Sequence, residues 1–139
     1  MQKSLRIKND IHELSTINRF LGKAGEEWGL SASFMMSLEL VMEEAVSNII
    51  FYAYEKGSVV DDAVDIRLEW ADRWLTVTLE DHGVAFDPTA KKDPDITLSA
   101  EERPIGGLGI FLIKKIMDEV SYRRVDGRNI FIMRKKVIA

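Results

Sequence analysis

Two stretches of alternating apolar and polar residues, joined by a short connection, constrain the fold of this chain most. The apolar positions recur at every second residue in AVDIRLEW and in WLTVTLED; they are Val64, Ile66, Leu68, Leu75, Val77 and Leu79. Successive side chains of a strand point to opposite faces, so this period of two is typical of a strand with one buried face. With only ADR between them, the stretches predict an antiparallel pair of strands whose apolar face is covered by other elements.

Helical periodicity and helix-end signals predict two helices before this pair of strands. Asp10 can cap a helix that runs from Ile11 to about Trp28, where the following glycine ends it. Ser31 or Ser33 can open a second and longer helix, which we expect to stop at Gly57.

The remaining segments complete the predicted architecture. KSLRIKND is expected to form a short strand, a third helix begins near GGLGIFLIKKIMDEV, and a hairpin around Asp126-Gly127 follows. Residues 88–105 contain all three prolines of the chain and predict a long loop. Helices on one face of a mixed, mostly antiparallel sheet make a two-layer α+β sandwich, so we expect a single domain over residues 1–139.

Composition excludes several classes of function. The 139 residues include no cysteine, which excludes disulfides and thiolate metal sites. A net charge of -4 disfavours a nucleic-acid partner, because phosphate binding depends on clustered Lys and Arg. The sequence has no run of about 20 apolar residues, and its first residues lack the features of a signal peptide, so we expect a cytoplasmic location and no membrane contact.

The second predicted helix carries a first candidate site. Glu44 and Asn48 are four residues apart, which stacks a carboxylate and an amide on one helical face. An amide oxygen is a suitable ligand for Mg²⁺, and a carboxylate can take a proton from an attacking hydroxyl group. The alternative is an ordinary pair on a helix surface, a description that fits the neighbouring Glu43 better.

The segment LEDHGVAFDP carries a second candidate site. Asp81 at the end of a strand can accept a hydrogen bond from an exocyclic amine such as that of adenine, and Gly83 lets the backbone approach a flat ring. Phe86 can add an apolar contact. The alternative is an Asx-type turn followed by an Asp-Pro turn, with His82 as an exposed turn residue.

The segment RPIGGLGIFLIKK carries the third. Gly106, Gly107, Leu108 and Gly109 stand at a predicted helix start, where free backbone N–H groups and the helix dipole favour an anion. No Gly-Lys-Ser or Gly-Lys-Thr follows, so the segment is not a P-loop. Taken alone, a glycine-rich turn is a weak signal.

The order of these three segments resembles the motif series of the GHKL ATPases, a superfamily with the Bergerat, or histidine-kinase-like ATPase, fold. A helix with E-x-x-x-N is followed by a strand that ends in D-x-G, then by a loop, and then by G-x-G at a helix start. Within the superfamily the chain is most similar to the small anti-sigma-factor serine/threonine kinases of bacteria. The likeness covers nearly the whole chain and is carried by EEAVSNIIFYAY, EDHGVAFDP and PIGGLGIFLIKKIMDEVSY.

This resemblance implies a role for each candidate residue. Glu44 would be the general base, and Asn48 would be the Mg²⁺ ligand. Asp81 would accept from the adenine amine, and Gly83 would give the ring room. Backbone amides from Gly107 to Gly109 would line the phosphates of ATP, and residues 88–105 would form the ATP lid.

The resemblance also implies a reaction and partners. The γ-phosphoryl group of ATP would pass to a serine or threonine of a STAS-type anti-sigma-factor antagonist. The chain would also bind a sigma factor, and phosphorylation of the antagonist would decide which partner it holds. A homodimer is implied as well, with Arg19 on the N-terminal helix as a candidate sigma contact; a solvated arginine is an equally good explanation.

Two other interpretations stay open. FYAY replaces the histidine-bearing xHxY that is common in these kinases, although Tyr54 keeps the tyrosine, so the chain is alternatively a nucleotide-binding interaction module with little or no phosphoryl transfer. The other interpretation is a stand-alone histidine-kinase-type ATPase domain with His12 as phosphoacceptor. An ordinary exposed or capping histidine is the simpler explanation of His12.

Overall fold

The fold is known from a computed structural model that describes residues 1–90 and 108–137. Its elements, in chain order, are β1 (Gln2–Ile7), α1 (Leu14–Trp28), α2 (Ala32–Tyr52), β2 (Val64–Ala71), β3 (Trp74–Asp81), α3 (Leu108–Ile116), β4 (Glu119–Val125) and β5 (Arg128–Lys136). Short 3₁₀ helices cover Ile11–Glu13 and Pro88–Ala90.

The five strands form one sheet in the order β1-β2-β3-β5-β4, and all pairings among the described strands are antiparallel. Each of the two hairpins closes through two residues with positive φ, Asp72 and Arg73 at 53° and 66°, and Asp126 and Gly127 at 50° and 77°. Such turns match the twist of the strands they join. Both predicted hairpins are therefore confirmed.

The helices and one face of the sheet share a single apolar core. The strands contribute the inward positions Val64, Ile66, Leu68, Leu75, Val77, Leu79, Phe131 and Met133. The main helical contributors are Ile17, Leu21, Val41, Met42, Ile49, Ile110 and Ile113. The alternating positions on β2 and β3 are mostly polar, and all are at least partly exposed. The predicted two-layer α+β sandwich is confirmed, because burial alternates along these strands as the sequence pattern required.

The helix starts follow the predicted caps, with one correction. The carboxylate of Asp10 accepts from the backbone N–H of His12 at 2.9 Å, but the turn it caps is the 3₁₀ helix, and the α-helix begins only at Leu14. Ser31 is the cap of α2, accepting from the N–H of Phe34 at 3.2 Å.

The second helix ends five residues earlier than predicted, at Tyr52 rather than Gly57. The Ala53 N–H still donates to Ile49, but the Ala53 carbonyl accepts from the N–H of Val84 at 2.8 Å instead of from a further helical turn. The helix stops because the loop after β3 donates a hydrogen bond to that carbonyl.

The predicted loop of residues 88–105 lies mostly outside the described residues. Its first three residues form the 3₁₀ helix, in which Pro88 is buried. In the described part of the chain, no helix combines the length and apolarity that crossing a membrane requires.

Candidate functional site

The ends of β3 and β5 meet the C-terminal half of α2 around a small cavity. Its walls are formed by Ala45, Asn48, Ile49, Asp81, Phe86, Pro88, Tyr122, Asn129 and Phe131. The space between them is about 10 Å³, the room that one water molecule needs. A flat ring needs far more room than this, so it can enter only when side chains that line the cavity move aside.

Asp81 lies at the centre of this arrangement and is 2% exposed. Its Oδ1 accepts two hydrogen bonds of 2.9 Å, from the backbone N–H of Gly83 and from Nδ2 of Asn129. Burial raises the pKa of Asp81 above its ordinary value, while the hydrogen bonds from Asn129 and Gly83 act in the opposite direction. The structure therefore holds a buried carboxyl group in a defined orientation.

Gly83 is required by a backbone contact. A Cβ at this position would lie 2.8 Å from the carbonyl carbon of Ala53 and closer still to its oxygen. The close approach lets Val84 donate to the same carbonyl. The loop after Asp81 is thus pressed against the end of α2, a constraint that sequence analysis did not foresee; room for a ring at Gly83 stays a prediction.

Phe86 lines the cavity, and its apolar contact with a bound ring stays a prediction. Its ring stacks on that of Tyr52, with centroids 5.2 Å apart and planes inclined by 20°. The two aromatic rings form one wall of the site, between the end of α2 and the loop.

Glu44 and Asn48 share a face of α2 and meet the first turn of α3. A Cβ at Gly109 would lie 2.8 Å from Oε2 of Glu44 and 3.4 Å from Nδ2 of Asn48. Both side chains are half-buried, whereas Glu43 is exposed. The pair is therefore covered by a second helix and is not an ordinary surface pair.

The glycine-rich segment is described only in part. Leu108 begins α3 and Gly109 is buried in its first turn, against the pair on α2. Gly106, Gly107 and the Leu108 side chain lie outside the described residues.

Three residues of the site, Asn129, Tyr122 and Arg124, were missed by sequence analysis, and a fourth, Tyr54, was named only for its place in the FYAY stretch. Asn129 is 3% exposed and bonds to Asp81. Tyr122 and Arg124 both donate to Asn129, and Arg124 also donates to the Gly83 carbonyl at 2.8 Å. Tyr54 accepts from the His82 N–H at 3.2 Å and donates to the Ala63 carbonyl. A signal existed for Asn129, because it occupies an inward position of β5 in register with Phe131 and Met133.

The residues singled out for other roles are at the surface. His12 is exposed, and its Nδ1 lies 2.8 Å from the Asp10 carboxylate. This geometry agrees with the simpler explanation, in which His12 is an exposed histidine next to a helix cap. Arg19 is exposed on α1, and its guanidinium is 3.5 Å from the Thr16 hydroxyl.

A wider groove of about 630 Å³ is lined by residues 8–11, 50–51 and 54–59. Its central polar side chain, Asn9, bonds to the Ser58 and Val60 backbones. The exposed rings and methyl groups of Phe51 and Val59 border it. None of the predicted site residues lines this groove.

Comparison with known proteins places the chain in a family. The family model of the histidine kinase-like ATPase domain matches residues 7–135. The serine/threonine-protein kinase BtrW of Bordetella bronchiseptica is 32% identical over 99 residues, which cover 71% of this chain and 68% of that protein. The serine-protein kinase RsbW of Listeria monocytogenes is also 32% identical, over 71% of this chain but only 64% of the relative's length.

A solved structure shows the same fold. The crystal structure of the RsbU and RsbW domains of a Mycobacterium tuberculosis protein superposes with a TM-score of 0.70 at 13% identity. The superposition covers 98% of this chain and 32% of the mycobacterial one. With the site geometry and the match over residues 7–135, the chain belongs to the family of histidine kinase-like ATPase domains.

Proposed function

We propose that this chain is an ATP-dependent protein serine/threonine kinase that acts as an anti-sigma factor. It binds ATP with Mg²⁺ and phosphorylates a STAS-type anti-sigma-factor antagonist. The position of Asn48 carries the proposal, because this residue lines the cavity beside Asp81 and also lies against Gly109. We call the part of the site around Asp81 the base end, because it would receive the nucleobase, and the part around Gly109 the phosphate end. Asn48 joins the two ends along α2.

The base end suits an adenine ring. Asp81 is a buried acceptor, and the exocyclic amine of adenine is a donor that the carboxylate can pair with. Phe86 supplies an apolar surface beside it. The match to the family of histidine kinase-like ATPase domains supports ATP as the nucleotide.

Glu44 is proposed as the general base. The serine or threonine oxygen of the partner attacks the γ-phosphorus, the bond to the β,γ-bridging oxygen breaks, and ADP leaves. Glu44 accepts the proton of the attacking hydroxyl group. The N–H groups of the first turn of α3, which begins next to Glu44, favour the negative charge of the phosphates.

The amide oxygen of Asn48 is proposed to hold Mg²⁺. The described residues contain no cluster of three or more His, Cys, Asp or Glu side chains that could bind a metal ion by themselves. An amide oxygen fits a hard cation, and phosphate and water oxygens commonly complete its coordination. Bound there, the ion would neutralise part of the phosphate charge.

The proposed partners extend this activity into regulation. Besides the antagonist, we propose a sigma factor and a second copy of the chain as partners, as the family likeness implies. Arg19 is a candidate sigma contact because its guanidinium is exposed on α1. Phosphorylation of the antagonist would release it and leave the chain to the sigma factor.

One observation favours a second candidate, a nucleotide-binding module without phosphoryl transfer. Tyr52 stands at the histidine position of the xHxY motif that the family resemblance implies, and its ring stacks on that of Phe86. An aromatic wall of this kind contributes to ring binding but supplies no imidazole for proton transfer.

The decisive experiment incubates the purified protein with γ-labelled ATP, Mg²⁺ and an extract of the source cells. Glu44→Gln removes the proposed base without changing side-chain size, and Glu43→Gln is its matched control on the exposed face. We expect acid-stable label on a small protein, reduced about 100-fold or more by Glu44→Gln and unchanged by Glu43→Gln.

Other outcomes would contradict the proposal. No label despite measurable ATP binding would favour the nucleotide-binding module. Acid-labile label on the chain itself, lost with His12→Ala, would favour the histidine-kinase interpretation.

A further inference from the structure

Asn129 and Asp81 are the two polar or charged side chains that are buried in the described part of the chain. They are paired residues of β5 and β3, and their side chains point to the same face of the sheet. Burying an amide is costly unless its donors and acceptor are satisfied. The hydrogen bonds of Asn129 are therefore informative about its role.

The oxygen of the Asn129 amide is held by donors from three directions. Oδ1 accepts from the Tyr122 hydroxyl at 2.5 Å, from Nη1 of Arg124 at 3.1 Å and from the Phe86 N–H at 3.3 Å. The Arg124 guanidinium and the Phe86 N–H can only donate, so exchange of the amide oxygen and nitrogen would place donor against donor. The amide orientation is thus determined by its surroundings.

That orientation leaves Nδ2 no choice of partner. It donates to Oδ1 of Asp81 at 2.9 Å and to the Val84 carbonyl at 2.8 Å. Since the Gly83 N–H donates to the same carboxylate oxygen, two donors hold Oδ1 of Asp81. No donor in the described residues contacts Oδ2, which remains as the acceptor of this carboxylate.

We propose that Asn129 is the positioning residue that makes the site selective for a 6-amino purine over a 6-oxo purine. This inference depends on the proposed nucleotide-binding function. Asn129 acts through Asp81: by holding one carboxylate oxygen, it keeps the other as a fixed acceptor. A 6-amino group donates to that oxygen, whereas a 6-oxo group meets it with a second acceptor and is rejected.

The alternative role for Asn129 is simple support of the loop through the Val84 carbonyl. The two roles differ in one measurable quantity. Loss of loop support would weaken ATP and ITP alike, because the two rings have the same shape and would contact the loop in the same way. Loss of the fixed acceptor weakens ATP selectively, so the ratio of the two affinities falls.

The test compares Asn129→Thr with Asn129→Val by calorimetry with ATP and with ITP, each with Mg²⁺. The two substitutions have the same shape and remove the same amide, but only threonine keeps a donor near Asp81. We expect the ATP-to-ITP affinity ratio to fall about tenfold or more in Asn129→Val and to fall less in Asn129→Thr. Equal ratios in wild type and both variants would overturn the inference.

Two further arms keep the result interpretable. If the wild-type protein binds ATP tightly but the ratio never changes, the inference fails while the proposed function stands; if it binds neither nucleotide, both fail. Should the Asn129 variants not fold, the double variant Tyr122→Phe, Arg124→Met removes two of the donors that orient the amide. Its ratio is also expected to fall, and an unchanged ratio overturns the inference.

Discussion

The two ends of the site along α2 are built differently. At the base end, Asp81 and Asn129 are buried on neighbouring strands and bonded to each other and to the loop backbone. At the phosphate end, Glu44 and Asn48 are half-buried on one helix and covered by the start of another. Among the described residues, no hydrogen bond holds either side chain of this helical pair.

The difference shows what each end has to do. Selecting a ring requires an acceptor in a fixed position, which strands and buried hydrogen bonds supply. Phosphoryl transfer requires polar groups that can still bind a metal ion, a phosphate oxygen or a proton. We therefore expect substitutions at the base end to affect nucleotide affinity most, and those at the phosphate end to affect metal dependence or turnover.

The largest effect is expected from Asp81→Asn. In this variant the Gly83 N–H and Nδ2 of Asn129 will donate to the single amide oxygen of the new side chain. The amide nitrogen is then turned toward the adenine amine. ATP affinity should fall about 100-fold or more, because donor then faces donor in a buried site. Calorimetry measures this, with Asp72→Asn in the exposed hairpin turn as control. Equal affinities would remove Asp81 from the base end.

Gly83→Ala tests whether the base end depends on the close approach to α2. The new methyl group would overlap the Ala53 carbonyl, and since backbone cannot rotate away, the loop must shift. We expect a loss of about 1–3 kcal/mol in the free energy of unfolding and weaker ATP binding.

The matched control is Gly22→Ala on α1, where the new Cβ would meet no atom within 4 Å apart from its chain neighbours and the backbone of its own helix. This variant should gain about 0.5–1 kcal/mol from better helix propensity. Chemical denaturation of both variants decides the comparison. A Gly83→Ala protein as stable as Gly22→Ala would show that the close approach is not a constraint.

Asn48→Ala tests the phosphate end. We expect ATP binding to become insensitive to Mg²⁺, since the proposed protein ligand is gone, while binding measured with EDTA changes little. Asn18→Ala, an exposed asparagine on α1, is the control. Unchanged Mg²⁺ dependence in Asn48→Ala would refute the metal assignment.

The smallest effect is expected from Gly109→Ala. The nearest atom to the new methyl group is the terminal Oε2 of Glu44, which can rotate aside. Phosphoryl transfer should fall by about twofold to fivefold, corresponding to roughly 0.5–1 kcal/mol in transition-state stabilisation. Nucleotide affinity should stay the same. A turnover loss as large as that of Glu44→Gln would mean that this contact is far stiffer than its geometry implies.

Much of the fold could be predicted from local patterns. The alternation on β2 and β3, the cap at Ser31 and the turn at Asp126-Gly127 each depend on neighbouring residues along the chain, so the sequence contains the information. The end of α2 could not be found in this way. It depends on Val84 taking the Ala53 carbonyl, a contact between residues 31 positions apart.

The residues of the candidate site show the same difference between local sequence signals and contacts between distant parts of the chain. Glu44 and Asn48, Asp81 and Gly83, and the start of α3 were recognised because each signal lies within a few consecutive residues. Asn129 was missed because its meaning comes from a partner on another strand, 48 residues away. In the sequence alone, an asparagine directly after a turn is interpreted as a turn residue. Only the strand register shows that Asn129 lies opposite the buried carboxylate of Asp81.

The amino-acid sequence was sufficient for the class of fold, for most element positions and for the residue types that make a nucleotide site plausible, because periodicity, caps and turns are local. Which of these residues meet was settled by packing: Gly83 against Ala53, Gly109 against Glu44, and Asn129 against Asp81. These contacts join residues far apart in the chain, and their geometry depends on strand register and on the angle between helices. That is why the orientation of the Asp81 carboxylate is visible only in the folded protein.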